Sequence, residues 1–221
     1  MKRFRDREEA GLQLAERLAA TSRPEAVVLA IPRGGAPVAF AVAQRLRAPL
    51  DALVVRKLGA PGHEELAVGA IARGVRVLND AVIARLRVSA EALDAITKRE
   101  SMEVERREAR YRQGRPPAPV AGRHVILVDD GLATGATMRA AVQAVQLMRP
   151  KAITVAAPVG APDSCRALRE LGVEVVVLHE PDEFQAVGEW YLRFPAVHDA
   201  EVIALLAAGM GAQAPGAPDS G

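Results

Sequence analysis

The chain alternates short, continuous apolar runs with longer amphipathic stretches. AVVLAIP (26–32), LDALVVRKLG (50–59), HVILVDD (124–130), AITVAAPV (152–159) and VEVVVLHE (173–180) are rich in Val, Ile and Leu, with little polar alternation. Such runs predict strands buried on both faces, as in parallel sheets. From Asp6 to about Ala20, residues Ala10, Leu14, Ala15 and Leu18 share one helical face. Val38–Leu46 reads as a second helix. Thr134–Met148 reads as another, with Met138, Ala141, Val142, Val145 and Met148 at helical spacing and Pro150 just beyond. APDSCRALREL, around Cys165, is also helical in pattern. Ser89 is placed to cap a charged helix from Ala90 to about Arg112, and GRPPAPVAG (114–122) follows as a linker. APGHEELAVGAIARG (60–74) is Gly-rich and mixed, with AVGAIA and VRVLN as short strands; it predicts a mobile loop closed by a hairpin.

Strands alternating with helices predict an α/β fold with a parallel central sheet flanked by helices. Residues 1–208 are expected to form one domain, with an inserted helix at about 89–113. The Gly/Pro/Ala-rich stretch 209–221 is expected to be a disordered tail.

Composition narrows this picture. The 221 residues suit one α/β domain, and 50% are apolar. Only 3% are aromatic, so Val, Ala and Leu must fill the core. Twenty-nine basic residues nearly balance 27 acidic ones, for a net charge of +2, which argues against a polybasic nucleic-acid binder. Cys165 is the single cysteine, so neither an intrachain disulfide nor Cys-based metal spacing is available, and a buried thiol is expected. The N-terminus lacks an apolar signal core, and no apolar run is long enough to span a membrane. A cytoplasmic location is expected.

In open parallel sheets, ligands gather at the carboxyl ends of the strands. Here those ends read Pro32-Arg33-Gly34-Gly35, Arg56-Lys57-Leu58-Gly59, Asp129-Asp130, Pro158-Val159-Gly160 and His179-Glu180. The stretch after Asp130 has the properties of a phosphate cradle. Gly131 and Gly135 let backbone N–H groups approach an anion, Thr134 and Thr137 add hydroxyls, and the next helix presents the positive end of its dipole. Carboxylates repel phosphate but accept hydrogen bonds from vicinal hydroxyls or face a magnesium ion. A sugar 5-phosphate with a free diol would use both features, its diol on Asp129 and Asp130. The motifs G-x-x-x-x-G-K-[ST], GxGxxG, HExxH and GxSxG are absent.

VILVDDGLATGAT (125–137) resembles the phosphoribosyl-pyrophosphate motif of type I phosphoribosyltransferases: a hydrophobic strand, two acids, a spacer, then T-G-x-T. IPRGG and VRKLG resemble that family's pyrophosphate-facing segments, and 60–74 falls where the family has a flexible catalytic loop. FRDREEAGLQLAERL and FQAVGEWYLRF are similar to a bacterial subgroup of the same family. The resemblance implies transfer of a 5-phosphoribosyl group to a nitrogenous, purine-like base, with Mg2+ and release of pyrophosphate. It implies that Arg33, Arg56 and Lys57 offset the charge on the leaving group. Gly34 and Gly35 would bring backbone close to it, in a loop that often carries a non-proline cis peptide.

The resemblance further implies that Gly131, Leu132, Ala133, Thr134, Gly135, Ala136 and Thr137 hold the 5-phosphate. Asp129 and Asp130 would orient the ribose and meet the metal. His63, Glu64 and Glu65 are the candidates for acid–base work. Phe184, Trp190 and Tyr191, in a hood built from terminal segments including about 180–200, could stack on a base. Ala133 stands where 6-oxopurine enzymes carry aspartate and adenine enzymes alanine, which leaves the acceptor open. Homodimers are common in the family. The alternatives are a regulatory protein that senses the same donor, and a hydrolase acting on it.

Overall fold

A computed structural model describes residues 3–209, with side chains for all but 63–65. In chain order the elements are α1 (Arg7–Ala19), β1 (Ala26–Ala30), α2 (Gly35–Leu46), β2 (Leu50–Ala52), β3 (Arg56–Ala60), β4 (His63–Ala72), β5 (Val75–Leu78), α3 (Asp80–Leu86) and α4 (Ala90–Arg112). There follow β6 (His124–Val128), α5 (Ala136–Leu147), β7 (Ala152–Val159), α6 (Pro162–Arg169), β8 (Glu174–His179), a 3-10 turn (Val187–Trp190) and α7 (Asp199–Gly209).

Five strands form a parallel sheet in the order β2-β1-β6-β7-β8. The expected α/β architecture is therefore present, with helices on both faces. Successive side chains of a strand face opposite ways. Val28, Ala30, Ile126 and Val128 join the core beneath α1, α2 and α7, while Val27, Leu29, Val125 and Leu127 join the core beneath α5 and α6. This explains the unbroken apolar runs: both faces are dry, and each fully buried aliphatic side chain contributes about 1.5–3 kcal/mol. α1 is capped by Asp6, whose carboxylate accepts from Glu9 N–H at 3.0 Å, and α4 by Ser89, as its sequence predicts.

The reading of 50–59 as one strand needs correction. β2 ends at Ala52, and β3 belongs to a separate antiparallel ribbon in the order β3-β4-β5. Hydropathy cannot mark that break, because Leu53 and Val54 remain buried while the chain changes sheets. The mobile loop expected at 60–74 is also mostly strand. AVGAIA lies within β4 and VRVL forms β5, joined by Arg73 and Gly74, both at positive φ (46° and 74°) as a tight hairpin requires. The helix expected from Thr134 begins two residues later, at Ala136, because Gly135 adopts φ 65° as its N-cap. Helices α3 and α7 were absent from the hydropathy reading. Of the expected tail, Gly209 closes α7, and the remainder lies outside the described residues.

The ribbon is tied to the body by buried charge. Asp51, 1% exposed in the middle of β2, accepts from Arg73 at the hairpin turn (2.5 Å) and from Arg112 of α4 (3.0 and 3.1 Å). Arg112 also donates to buried Glu108 at 2.8 Å. Two acids and two arginines thus neutralise one another where three elements meet, although Arg73 Nε is buried without a hydrogen bond, and loss of any partner would leave a buried charge unanswered.

Candidate active site

The chain runs from β1 outward to β2, then returns to place β6 on the other side of β1. The sheet order therefore reverses between β1 and β6, which is where open α/β sheets form their ligand crevice. The β1 end supplies Pro32–Gly35 and the β6 end supplies Asp129 and Asp130. Hydrogen bonds continue past the strands: Ile31 N–H donates to Val128 O at 2.8 Å and holds the β1 and β6 ends together, and Asp129 N–H donates to Ala156 O of β7 at 3.2 Å.

The glycines on this rim are required by space. A Cβ on Gly34 would lie 2.2 Å from Asp130 Oδ2, and one on Gly35 would lie 2.6 Å from Val128 O and 2.9 Å from Asp129 Cα. The Pro32–Arg33 peptide is cis. Gly131 is needed for a different neighbour, since a Cβ there would meet the Val187 side chain of the hood at 2.5 Å.

Asp129 and Asp130 are held differently. Asp129 Oδ1 accepts from Asp130 N–H at 2.8 Å. Burial, together with the adjacent Asp130 charge, pushes the Asp129 carboxyl well above the ordinary carboxylate range. Solvent still reaches part of the residue, although protein packs round its carboxyl. Asp130 is answered by a cation that the sequence reading missed: Arg7 Nε donates to its Oδ2 at 2.8 Å. Arg7 Nη1 also donates to Pro195 O at 2.7 Å, and its guanidinium lies 3.7 Å over the Phe194 ring. Tyr191 OH donates to Asp130 O at 2.6 Å.

The hood therefore rests directly on the acidic pair. Phe4 bridges to Tyr191 in parallel, so both chain ends build it. Tyr191 is 4% exposed between Phe4 and Phe194, so it packs and positions and offers no free ring face for a base. Trp190 packs against the Phe4 cluster. Phe184 lines a cavity of about 270 Å³ with Asp163 and Asp182, beside the β7 end.

The loop from 131 to 137 is fixed at its ends and open at its centre. Leu132 N–H donates to Val159 O at 2.9 Å, and Ser164 Oγ donates to Ala133 O. Ala133, Thr134 and Thr137 are exposed. The N–H groups of Thr134, Gly135 and Thr137 have no acceptor among the described residues. Together with the N-terminus of α5 they form a concave set of donors suited to a phosphate.

The cationic residues are spread more widely than the strand-end reading expects. Arg33 is exposed on the β1 turn. Strand alternation sends Arg56 and Lys57 to opposite faces of β3. Arg56 Nε donates to Glu100 of α4 at 2.8 Å, and Arg99 donates to the other Glu100 oxygen at 3.0 Å. Burial works to raise the Glu100 carboxyl, but the two arginines outweigh it and hold it low. Arg56, Lys57, Arg99 and Glu100 line a cavity of about 340 Å³. Lys57 also lines a larger cavity of about 560 Å³, which reaches Ala136 and Arg139 of α5. The side chains of His63, Glu64 and Glu65 lie outside the described residues.

Comparison with known proteins agrees with this geometry. The chain is 48% identical over 207 residues to a Mycobacterium tuberculosis protein named "Putative phosphoribosyl transferase", covering 93% of this chain and 47% of that protein. It spans about half the length of the curated relatives it matches. The crystal structure of TT1426 from Thermus thermophilus is similar at a TM-score of 0.84 and 44% identity, covering 95% of this chain and all of that one. AQ2163 of Aquifex aeolicus shares the fold at 14% identity and a TM-score of 0.50, with 82% and 78% of the two chains covered. Residues 6–189 match the family described as "Phosphoribosyl transferase domain". Because that match spans most of the chain, the protein belongs to the phosphoribosyl transferase domain family.

Proposed function

We propose that the chain transfers a 5-phosphoribosyl group from phosphoribosyl pyrophosphate to a nitrogenous, purine-like base and releases pyrophosphate. One observation carries the reading: at the sheet's switch point, two carboxylates stand directly beside a loop of unpaired amides on a helix N-terminus. A phosphorylated ribose needs both. The loop amides, with Thr134 and Thr137, take the 5-phosphate, and Asp129 and Asp130 take the ribose hydroxyls.

Positive charge developing on the ribose is stabilised by the acidic pair, and negative charge on the leaving pyrophosphate by Arg33 and Lys57, while Arg56 is held by Glu100. Gly34 and Gly35 let the β1 turn pack directly against the acids. No group of three or more acid, histidine or cysteine ligands forms among the described residues. Two carboxylates alone fit a magnesium ion that arrives on the pyrophosphate and keeps most of its own water. When bound, that ion would offset pyrophosphate charge. No described helix is long and apolar enough to cross a membrane.

Calorimetry with phosphoribosyl pyrophosphate and magnesium tests the donor, and a screen of nucleobases and amines for pyrophosphate release tests the transfer. Saturable binding with acceptor-dependent release is expected. Binding without release would favour the sensing role, release without acceptor would favour hydrolysis, and no binding would refute the reading. Asp129→Asn keeps the oxygen that accepts from Asp130 N–H, so it is expected to fold normally and to lose turnover.

A further inference from the structure

We propose that Arg7 is a positioning residue for ribose recognition: it takes up one oxygen of Asp130 so that the acidic pair presents one free oxygen per residue to the ligand. This rests on the donor reading above. Asp130 Oδ2 accepts from Arg7, and Asp129 Oδ1 accepts from Asp130 N–H. No N–H or O–H donor of another described residue reaches Asp129 Oδ2 or Asp130 Oδ1, and the two carboxyls lie within hydrogen-bonding reach of each other, a contact that a bound diol would replace. Two free oxygens on adjacent acids match the two vicinal hydroxyls of a ribose.

Arg7 is built to stay in place. Its side chain is 10% exposed and that of Asp130 is 13% exposed. Three contacts from two segments fix the guanidinium: Asp130 beyond β6, and the Phe194 ring and Pro195 carbonyl of the hood. A guanidinium can donate along two directions while lying flat on a ring, which an ammonium cannot do. The helical register makes the same point. Arg7 occupies the face of α1 that also buries Ala10, Gly11, Leu14, Ala15 and Leu18, where an uncompensated charge would be costly. Its partner is the ribose-side acid itself, so the N-terminal segment and the hood together set that acid's orientation.

The test measures equilibrium binding of ribose 5-phosphate and 2-deoxyribose 5-phosphate, without metal or acceptor. Wild-type protein should prefer the ribose form by about tenfold or more, the worth of a hydrogen bond to a charged group. Arg7→Met keeps the apolar stem beneath Phe194. It should lose most of that preference while affinity for the deoxy form changes little, and Arg7→Lys should lose it as well. Introduced into Asp130→Asn, Arg7→Met should have no further effect on discrimination. An Arg7→Met protein that retains the wild-type preference overturns the inference, as does an undiminished Arg7 effect in the Asp130→Asn background. Phe194→Leu, at a ring 38% exposed, offers a gentler variant that should weaken the preference partway even if Arg7→Met folds poorly. Wild-type protein that binds neither sugar phosphate overturns the donor reading and this inference with it.

Discussion

Replacing Gly35 with alanine asks whether the β1 turn and the acidic pair form one rigid joint. Gly35 does not adopt a left-handed backbone, so space alone decides the outcome. The added methyl would sit 2.6 Å from Val128 O and 2.9 Å from Asp129 Cα, where ordinary contact begins at 3.4 Å. Both neighbours are backbone, and Val128 O is already held by Ile31 N–H. Relief therefore requires the strand ends to part by several tenths of an ångström. Overpacking of this kind costs about 1–3 kcal/mol, of which the better helix propensity of alanine returns at most ~1 kcal/mol. Because Gly35 is the first residue of α2, that return is small, and a net loss of about 1–3 kcal/mol lowers Tm by roughly 2–12 °C for a chain this size. The same movement displaces Asp129, so donor affinity should fall by roughly tenfold or more, about 1.4 kcal/mol of binding. Thermal melting and calorimetry read the two effects separately. Gly74→Ala is the control, because its φ of 74° strains alanine while nothing, the acids included, lies within 4 Å of the added methyl. It should lower Tm and leave binding unchanged. Gly35→Ala protein with wild-type Tm and wild-type donor affinity would refute the joint.

Gly34→Ala places its methyl against the Asp130 carboxylate, so it should impair binding more than stability in the same two assays. Asp51→Asn leaves Arg73 and Arg112 buried with their shared charge removed, and urea denaturation should show a loss of about 3–5 kcal/mol. Arg76→Ala, which breaks an exposed pair with Asp94, should cost under about 0.5 kcal/mol. Burial, aided by the nearby Glu180 charge, pushes the Cys165 thiol up to about 11. The folded state thus favours the protonated thiol; its contribution is full below about pH 8.5 and is lost as pH rises through 11. Stability should fall across that window with a shallower slope in Cys165→Ala, and a thiol reagent at pH 7 should label the native protein only as fast as it opens.

Much of the fold was legible because it rests on periodicity. A strand buried on both faces must be continuously apolar, so β1, β6, β7 and β8 are visible as runs, and their alternation with amphipathic stretches implies parallel pairing. The acidic pair, the two glycines and the T-G-x-T loop are contiguous, so their chemistry could be read as one motif. One further signal was present in the letters, since Arg7 falls on the apolar face of α1 where a charge demands a partner. The letters could not identify that partner, because Asp130 lies 123 positions away and meets Arg7 only when both chain ends fold over the sheet. The break after Ala52 was hidden for a related reason. Hydropathy records burial but not which neighbour buries a residue, and Leu53 and Val54 stay buried as the chain leaves one sheet for another. Arg56 and Lys57, adjacent in sequence, diverge because they fall within a strand and its pleat sends them to opposite faces. Sequence determined which groups this protein has and which of them are neighbours along the chain. Tertiary structure decided which charges answer one another, because ion pairing depends on distance through space and the fold alone sets those distances.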